Sequence, residues 1–255
     1  MNMYEAIFVK KPVKKFVMEE IDEKIIGKIA KFAEDLPLIF EDTKIEFHII
    51  YDVAETKVSA KHPFPKAPYY LVVACEREKK QMLNAGFFME QMGLYIASIG
   101  LATGNLNHMK LKMNLEEEFE HEPILMLPFG KTNEICFRDG RKIKRLPENE
   151  IVLYKTNVNA DVKHMVKAAR LTPSFMNTQP WRLVVYENRI HVFCKKNIFH
   201  QFETSERKLL DIGAMAANML LVAEEMWIDV QVEEVENISN KYFKNNDYMF
   251  SILVK

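Results

Sequence analysis

Apolar residues recur at helical spacing through Val162, Met165, Val166, Ala168 and Ala169, and the chain then changes character within a few residues. Pro173 follows Leu171 closely and is expected to stop that helix, while Leu183-Val184-Val185-Tyr186 reads as a short apolar strand. Between them Thr172-Pro173-Ser174-Phe175-Met176-Asn177-Thr178-Gln179-Pro180-Trp181-Arg182 combines two prolines, small polar residues and a tryptophan. Such a segment predicts a turn that presents backbone amides, a hydroxyl and an amide side chain, groups suited to the polar edge of a planar ligand.

The same order of patterns occurs earlier in the chain. Ile29-Ala30-Lys31-Phe32-Ala33-Glu34-Asp35-Leu36-Pro37 lines up with Met165 to Pro173, a helix stopped by proline in each case. Strand patterns follow at Phe47 to Tyr51 and Tyr69 to Cys75, matched later by Leu183 to Tyr186 and Arg189 to Cys194. Long helices then run from Asn84-Ala85-Gly86 to Leu101 and from Asp211-Ile212-Gly213 to Ile228. These parallels predict a tandem duplication with halves 1–146 and 147–255, although helix-strand-strand-helix is also a common order that arises without duplication. Leu125 to Phe129 is a further apolar strand, and it runs into Gly130.

Composition narrows the function classes. With 255 residues and 48% hydrophobic content the chain can bury a sizeable core, and its net charge of −1 argues against a general nucleic-acid binder. Cys75, Cys136 and Cys194 are odd in number, widely spaced and set mostly among apolar residues, so buried free thiols are expected rather than a disulfide framework. Neither cysteines nor histidines pair at zinc-ligand spacing. No run reaches the ~18 apolar residues of a membrane span, and the expected compartment is the cytoplasm.

The loop Pro173-Ser174-Phe175-Met176-Asn177-Thr178-Gln179-Pro180-Trp181 closely resembles the proline-serine-x-x-asparagine-x-glutamine-proline-tryptophan signature of the nitroreductase family of flavin mononucleotide (FMN) enzymes, with Phe175 and Met176 at its variable places. Near the N-terminus Lys10-Lys11-Pro12-Val13-Lys14-Lys15-Phe16 is similar to that family's second flavin signature, with Pro12 where the family has serine. The resemblance implies that Lys10 and Lys11 face the FMN phosphate, a dianion that needs charge-assisted donors. It also implies that Lys14 turns to the pyrimidine edge of the ring, where a cation would favour the reduced form. Pro12 would still offer a carbonyl and a fixed turn.

Two further segments carry weaker likenesses. Arg138 to Arg145 follows the strand ending at Gly130, and the family's basic segment there implies Arg141 and Lys144 as phosphate contacts, with Arg145 a near alternative; the same run also reads as an exposed charged linker. Gly100-Leu101-Ala102-Thr103-Gly104 resembles the family's glycine turn beside the flavin and implies Thr103 and Gly104 as contacts, while a glycine there serves equally as a helix C-cap. Phe175, Met176 and Phe40 are candidates to line the substrate pocket.

The fold that the resemblance implies is an α+β nitroreductase-like arrangement in which two halves form an intrachain pseudo-dimer, a monomer that mimics the family's homodimer. The first-half loop, Leu38 to Asp42, lacks the serine, asparagine and glutamine of the second, and the second-half counterpart of the lysine segment, Pro147 to Glu150, is acidic. One FMN per chain is therefore expected. The implied activity is electron transfer from NAD(P)H through FMN to a nitroaromatic, quinone or similar small-molecule acceptor, with no side-chain nucleophile. Pro12 and the missing second site also suit a non-catalytic flavin-binding pseudo-enzyme, and a flavin reductase supplying reduced flavin would have the same sequence features.

Overall fold

Tyr69 to Ala74 is apolar at every position, and in the computed structural model it forms β3, a strand buried along its whole length. The structure describes residues 1–59, 65–105, 110–111, 119–139, 143–196, 205–236, 238, 243 and 246–255. The chain divides into two compact units, Met1–Lys142 and Ile143–Lys255.

In the first unit β3 pairs antiparallel with β1 (Glu46–Tyr51) on one side and β6 (Pro123–Gly130) on the other, and β4 (Ala102–Thr103) pairs with the end of β6. Helix α1 (Met3–Val9) begins with a reciprocal capping box between Asn2 and Glu5. Helix α2 (Glu23–Asp35) starts on the Asp22 carboxylate and ends just before Pro37, where the sequence places its stop. The long helix α3 (Lys79–Ser98) is apolar around most of its circumference, as befits a helix packed against α1, α2 and strands of the sheet. Gly100 closes it with a φ of +90°, the left-handed cap position that glycine occupies without steric cost. A small antiparallel pair joins β2 (Val58–Ser59) and β5 (Lys110–Leu111).

The second unit holds a five-stranded sheet in the order β10 (Val230–Glu233), β11 (Asn246–Val254), β9 (Arg189–Lys195), β8 (Trp181–Val185), β7 (Val152–Tyr154). All pairs are antiparallel except β7 with β8. Helix α4 (Glu148–Ile151) leads into β7, and α5 (Ala160–Leu171), capped by the Asn159 side chain, packs against α6 (Ser205–Glu225). Cys75 and Cys194 are buried and Cys136 is half-buried; all three are free thiols. Burial pushes the Cys75 thiol up to about 12, which leaves it unreactive. Among the described residues no helix is long and apolar enough to cross a membrane.

A buried polar chain fixes the register of β9 against β11. His191 stands opposite Ser251, its Nδ1 lies 2.7 Å from the Ser251 hydroxyl, and the Tyr248 hydroxyl lies 2.7 Å from the same oxygen. Arg189 Nε donates to His191 Nε2 at 3.2 Å, so Nδ1 carries the proton and the ring is neutral. Burial, and then the Arg189 charge, hold the imidazole below its usual value of 6.5. A depressed histidine contributes stability that is present above the unfolded value and is lost as pH falls through it towards the folded value. The wild type should therefore lose more melting temperature than His191→Gln between about pH 7.5 and about pH 5.5. Equal losses in the two proteins would show that His191 is not held neutral.

Candidate functional site

The loop after α5 is built by four sets of hydrogen bonds within the second unit. Thr172 caps the helix, donating from its hydroxyl to the Ala168 carbonyl at 3.3 Å while accepting from Asn218 Nδ2 of α6 at 2.8 Å. The Phe175 N–H donates to both Asp211 carboxylate oxygens at 3.1 Å, which ties the loop to α6. The Gln179 N–H donates to Ser174 Oγ at 2.9 Å and closes the turn on itself. Gln179 Oε1 then accepts from the Leu146 N–H at 2.9 Å, and Gln179 Nε2 donates to the Asn177 carbonyl at 3.0 Å.

These contacts hold an unusual backbone. Met176, Asn177 and Gln179 have φ of 49°, 58° and 48°, all in the left-handed region. Asparagine tolerates that region, but methionine and glutamine cost about 1–2 kcal/mol each there, a strain the surrounding bonds must offset. Met176 is consequently turned outward, 74% exposed, whereas Gln179 is buried. Pro173 and Asn177 are exposed, Ser174 and Phe175 half-buried.

Asn177 points back toward the residues that precede α4. Its Oδ1 accepts from Arg145 Nη1 at 2.9 Å and its Nδ2 donates to the Lys144 carbonyl at 3.3 Å, while Arg145 Nη2 donates to the Leu171 carbonyl at 2.8 Å. Lys144 is exposed. Arg141 lies outside the described residues. Arg182, at the far end of the loop, is buried and donates to the Gln179 and Trp181 carbonyls; burial holds its guanidinium below its ordinary value.

In the first unit the lysine segment runs as an extended strap. Lys11 N–H donates to the Cys136 carbonyl at 2.8 Å and Val13 N–H to the Thr103 carbonyl at 2.9 Å. The Lys14 and Lys15 N–H groups both donate to Glu134, and the Lys14 contact is the largest reason that carboxyl sits below its ordinary value. Lys11 and Lys14 extend their side chains into solvent, and neither forms an ion pair among the described residues. Lys10 turns inward: its ammonium lies 3.4 Å from Glu90 of α3 and would touch a Cβ built on Gly93 at 3.0 Å. Pro12 is half-buried between them. Thr103 and Gly104 are buried, and the place where a Gly104 side chain would start is taken by Pro128 and crowded by Pro65. Packing within this unit is enough to require glycine there.

Sequence reasoning did not single out Asp211, Arg207 or Lys80 for any role, yet the same arrangement of three residues occurs in each unit. Phe40 N–H donates to Asn84 Oδ1 at 3.1 Å, and Lys80, four residues before Asn84, lies over the Phe40 ring at 5.3 Å. Phe175 N–H donates to Asp211, and Arg207, four residues before Asp211, lies over the Phe175 ring at 4.3 Å. Each cation–ring contact is worth about 0.5–1 kcal/mol at such half-exposed sites. The signal was present in the alignment of Asn84 with Asp211. It was obscured because matching Pro37 to Pro173 sets Phe40 against Met176, one residue away from its structural counterpart.

Comparison with solved structures places this architecture. A protein of Thermotoga maritima MSB8, described as a "putative nitroreductase", superposes with a TM-score of 0.69 at 18% identity, over 100% of this chain and 94% of its own. A nitroreductase family protein of Clostridium difficile 630 aligns over 62% of this chain and all of its own with a TM-score of 0.47 and 18% identity. An FMN and NADPH-dependent nitroreductase of Sphigopyxis sp. strain HMH aligns over 61% and 99%, with a TM-score of 0.46 and 14% identity. No curated protein sequence matches the chain. The fold is thus the mixed helix-and-sheet fold of nitroreductases. The family profile described as "Putative TM nitroreductase" matches residues 2–223, and the chain belongs to that family.

Proposed function

We propose that the protein is an FMN-dependent oxidoreductase that passes electrons from NAD(P)H to a small-molecule acceptor such as a nitroaromatic or a quinone. The observation that carries this reading is the family match over residues 2–223, which spans both the lysine strap and the signature loop. The donor set suits the cofactor. Lys11 and Lys14 are exposed cations that form no ion pair among the described residues, with the Lys11 charge acting on Glu134 at longer range, and they suit a phosphate dianion. Lys144 adds a third exposed ammonium. Lys10, held by Glu90, would act at longer range by offsetting that buried carboxylate.

Bound FMN would supply the two-electron chemistry, and the chain's own residues would hold, orient and shield it. Loop residues Pro173 to Asn177 would flank the ring through backbone groups and the Ser174 hydroxyl, since the Asn177 and Gln179 amides are engaged within the protein. Phe175, braced by Arg207 and Asp211, and the outward Met176 would border the space for nicotinamide and acceptor. Thr103 and Gly104 would shape the backbone beside the strap. We further infer that halves 1–146 and 147–255 are duplicates, as the repeated phenylalanine, amide-or-carboxylate and cation arrangement suggests, and that one FMN binds per chain.

The test is the visible spectrum of the purified protein, with released flavin identified and counted by chromatography. About one FMN per chain, bleached anaerobically by NADH or NADPH, is the expected result. A second reading is favoured by Pro12 standing where a hydroxyl is expected: a protein that holds flavin without turning over. Bound FMN that neither nucleotide reduces would establish it, and absence of binding even in excess FMN would remove both readings.

A further inference from the structure

We propose that Arg145 is a positioning residue that sets the conformation of the signature loop, and that the amides of that signature serve to grip residues 144–146 rather than to recognise a ligand. This rests on the functional reading only in its last step, from loop conformation to FMN affinity.

The geometry is specific. One guanidinium contacts Asn177 Oδ1 in the left-handed turn at 2.9 Å and the Leu171 carbonyl at the end of α5 at 2.8 Å, both far from Arg145 in sequence, as well as the neighbouring Lys144 carbonyl at 3.0 Å. Arginine presents its donors in a rigid planar fork, so one side chain can fix the helix end and the turn at a set separation. Around it, Asn177 Nδ2 reaches the Lys144 carbonyl and Gln179 Oε1 accepts from Leu146 N–H. Both signature amides are therefore directed at the same short segment. Met176, Asn177 and Gln179 would leave the left-handed region for ordinary backbone conformations if those bonds were lost. Asp211 and Ser174 anchor the loop at Phe175 and at the Gln179 N–H. Arg145 links this turn directly to the helix end, beside a longer route in which Gln179 holds Leu146 and Arg170 Nη2 donates to the Leu146 carbonyl.

The assignment separates Arg145 from Lys144. Lys144 lends its carbonyl to the clamp and keeps its ammonium in solvent, whereas both Nη atoms of Arg145 are engaged by protein acceptors.

The experiment compares wild type, Arg145→Ala, Arg145→Lys and Asn177→Ala by amide hydrogen exchange and by FMN titration. In the flavin-free proteins, exchange at the Thr178 and Gln179 N–H groups should quicken about tenfold or more in Arg145→Ala and in Asn177→Ala, while amides of α6 and β8 hold their wild-type protection. Arg145→Lys should resemble Arg145→Ala, because a single ammonium cannot bridge the same acceptors. FMN affinity should fall about tenfold in the same variants, a double variant combining Arg145→Ala with Asn177→Ala should lose little more than either single one, and millimolar guanidinium should restore Arg145→Ala in part. Unchanged loop exchange would overturn the proposal, whatever happens to FMN. Weaker FMN binding with unchanged exchange would instead place Arg145 on the ligand itself. General loss of protection in Arg145→Ala is resolved by Asn177→Ala, which removes the same contact from an exposed position; normal loop exchange in that variant also overturns the proposal. If wild type binds no FMN the functional reading fails, and the exchange arm alone decides the role of Arg145.

Discussion

Trp181→Ala should destabilise the second unit by about 3–5 kcal/mol, the range for removing a large aromatic side chain from a packed core. Trp181 is fully buried at the start of β8, opposite Cys194 of β9, and it is among the largest fully buried side chains of the protein. It also ends the signature loop, so its loss should slacken the turn that Gln179 and Arg182 hold beside it. The indole Nε1 is buried with no hydrogen-bond partner among the described residues. Trp181→Phe should consequently be far milder, because it removes volume without breaking a polar contact. Urea denaturation followed by circular dichroism measures both. A phenylalanine variant as damaged as the alanine variant would mean that the indole N–H is bonded in solution.

Gly104→Ala should cost the first unit about 1–3 kcal/mol, the usual penalty for forcing an added methyl group into filled space. A Cβ at this position would lie 2.6 Å from Pro128 Cγ and 3.2 Å from Pro65 Cγ, and proline rings cannot swing aside as a long side chain can. Nor can the backbone withdraw freely, since Gly104 N–H donates to the Pro128 carbonyl at 2.8 Å. Gly27 supplies the contrast. It lies within α2 with nothing within 4 Å of a built Cβ, and Gly27→Ala should stabilise by about 0.5–1 kcal/mol through helix propensity and a less flexible unfolded chain. A thermal melt of the two variants that moved in the same direction would contradict this account of both sites.

The elements that the sequence made legible are those with strong periodicity and a clear stop. α2 ends before Pro37 and α5 before Pro173; β3, β6, β8 and β9 coincide closely with their apolar runs. The C-terminal strands β10 and β11 were not read, because Val230 to Glu233 and Asn246 to Val254 mix polar and apolar residues and gain their ladder hydrogen bonds from β9 and from each other. At the site, the loop itself was legible through its prolines and amides. Its supports were not: Asp211 lies about 36 positions from Phe175, and Arg145 lies 32 positions from Asn177. Such contacts leave no local periodicity. The inward turn of Lys10 onto Glu90, 80 positions away, was hidden for the same reason.

The shape of the signature loop is set by bonds to the protein's own groups. Bonds from Asp211, Arg145, Ser174 and Gln179 fix its turn within the second unit alone. A ligand that docks against this turn meets a surface whose ordering entropy was already lost at folding. Association at the loop would then follow simple second-order kinetics, its rate rising in proportion to ligand concentration without a plateau set by a slow rearrangement.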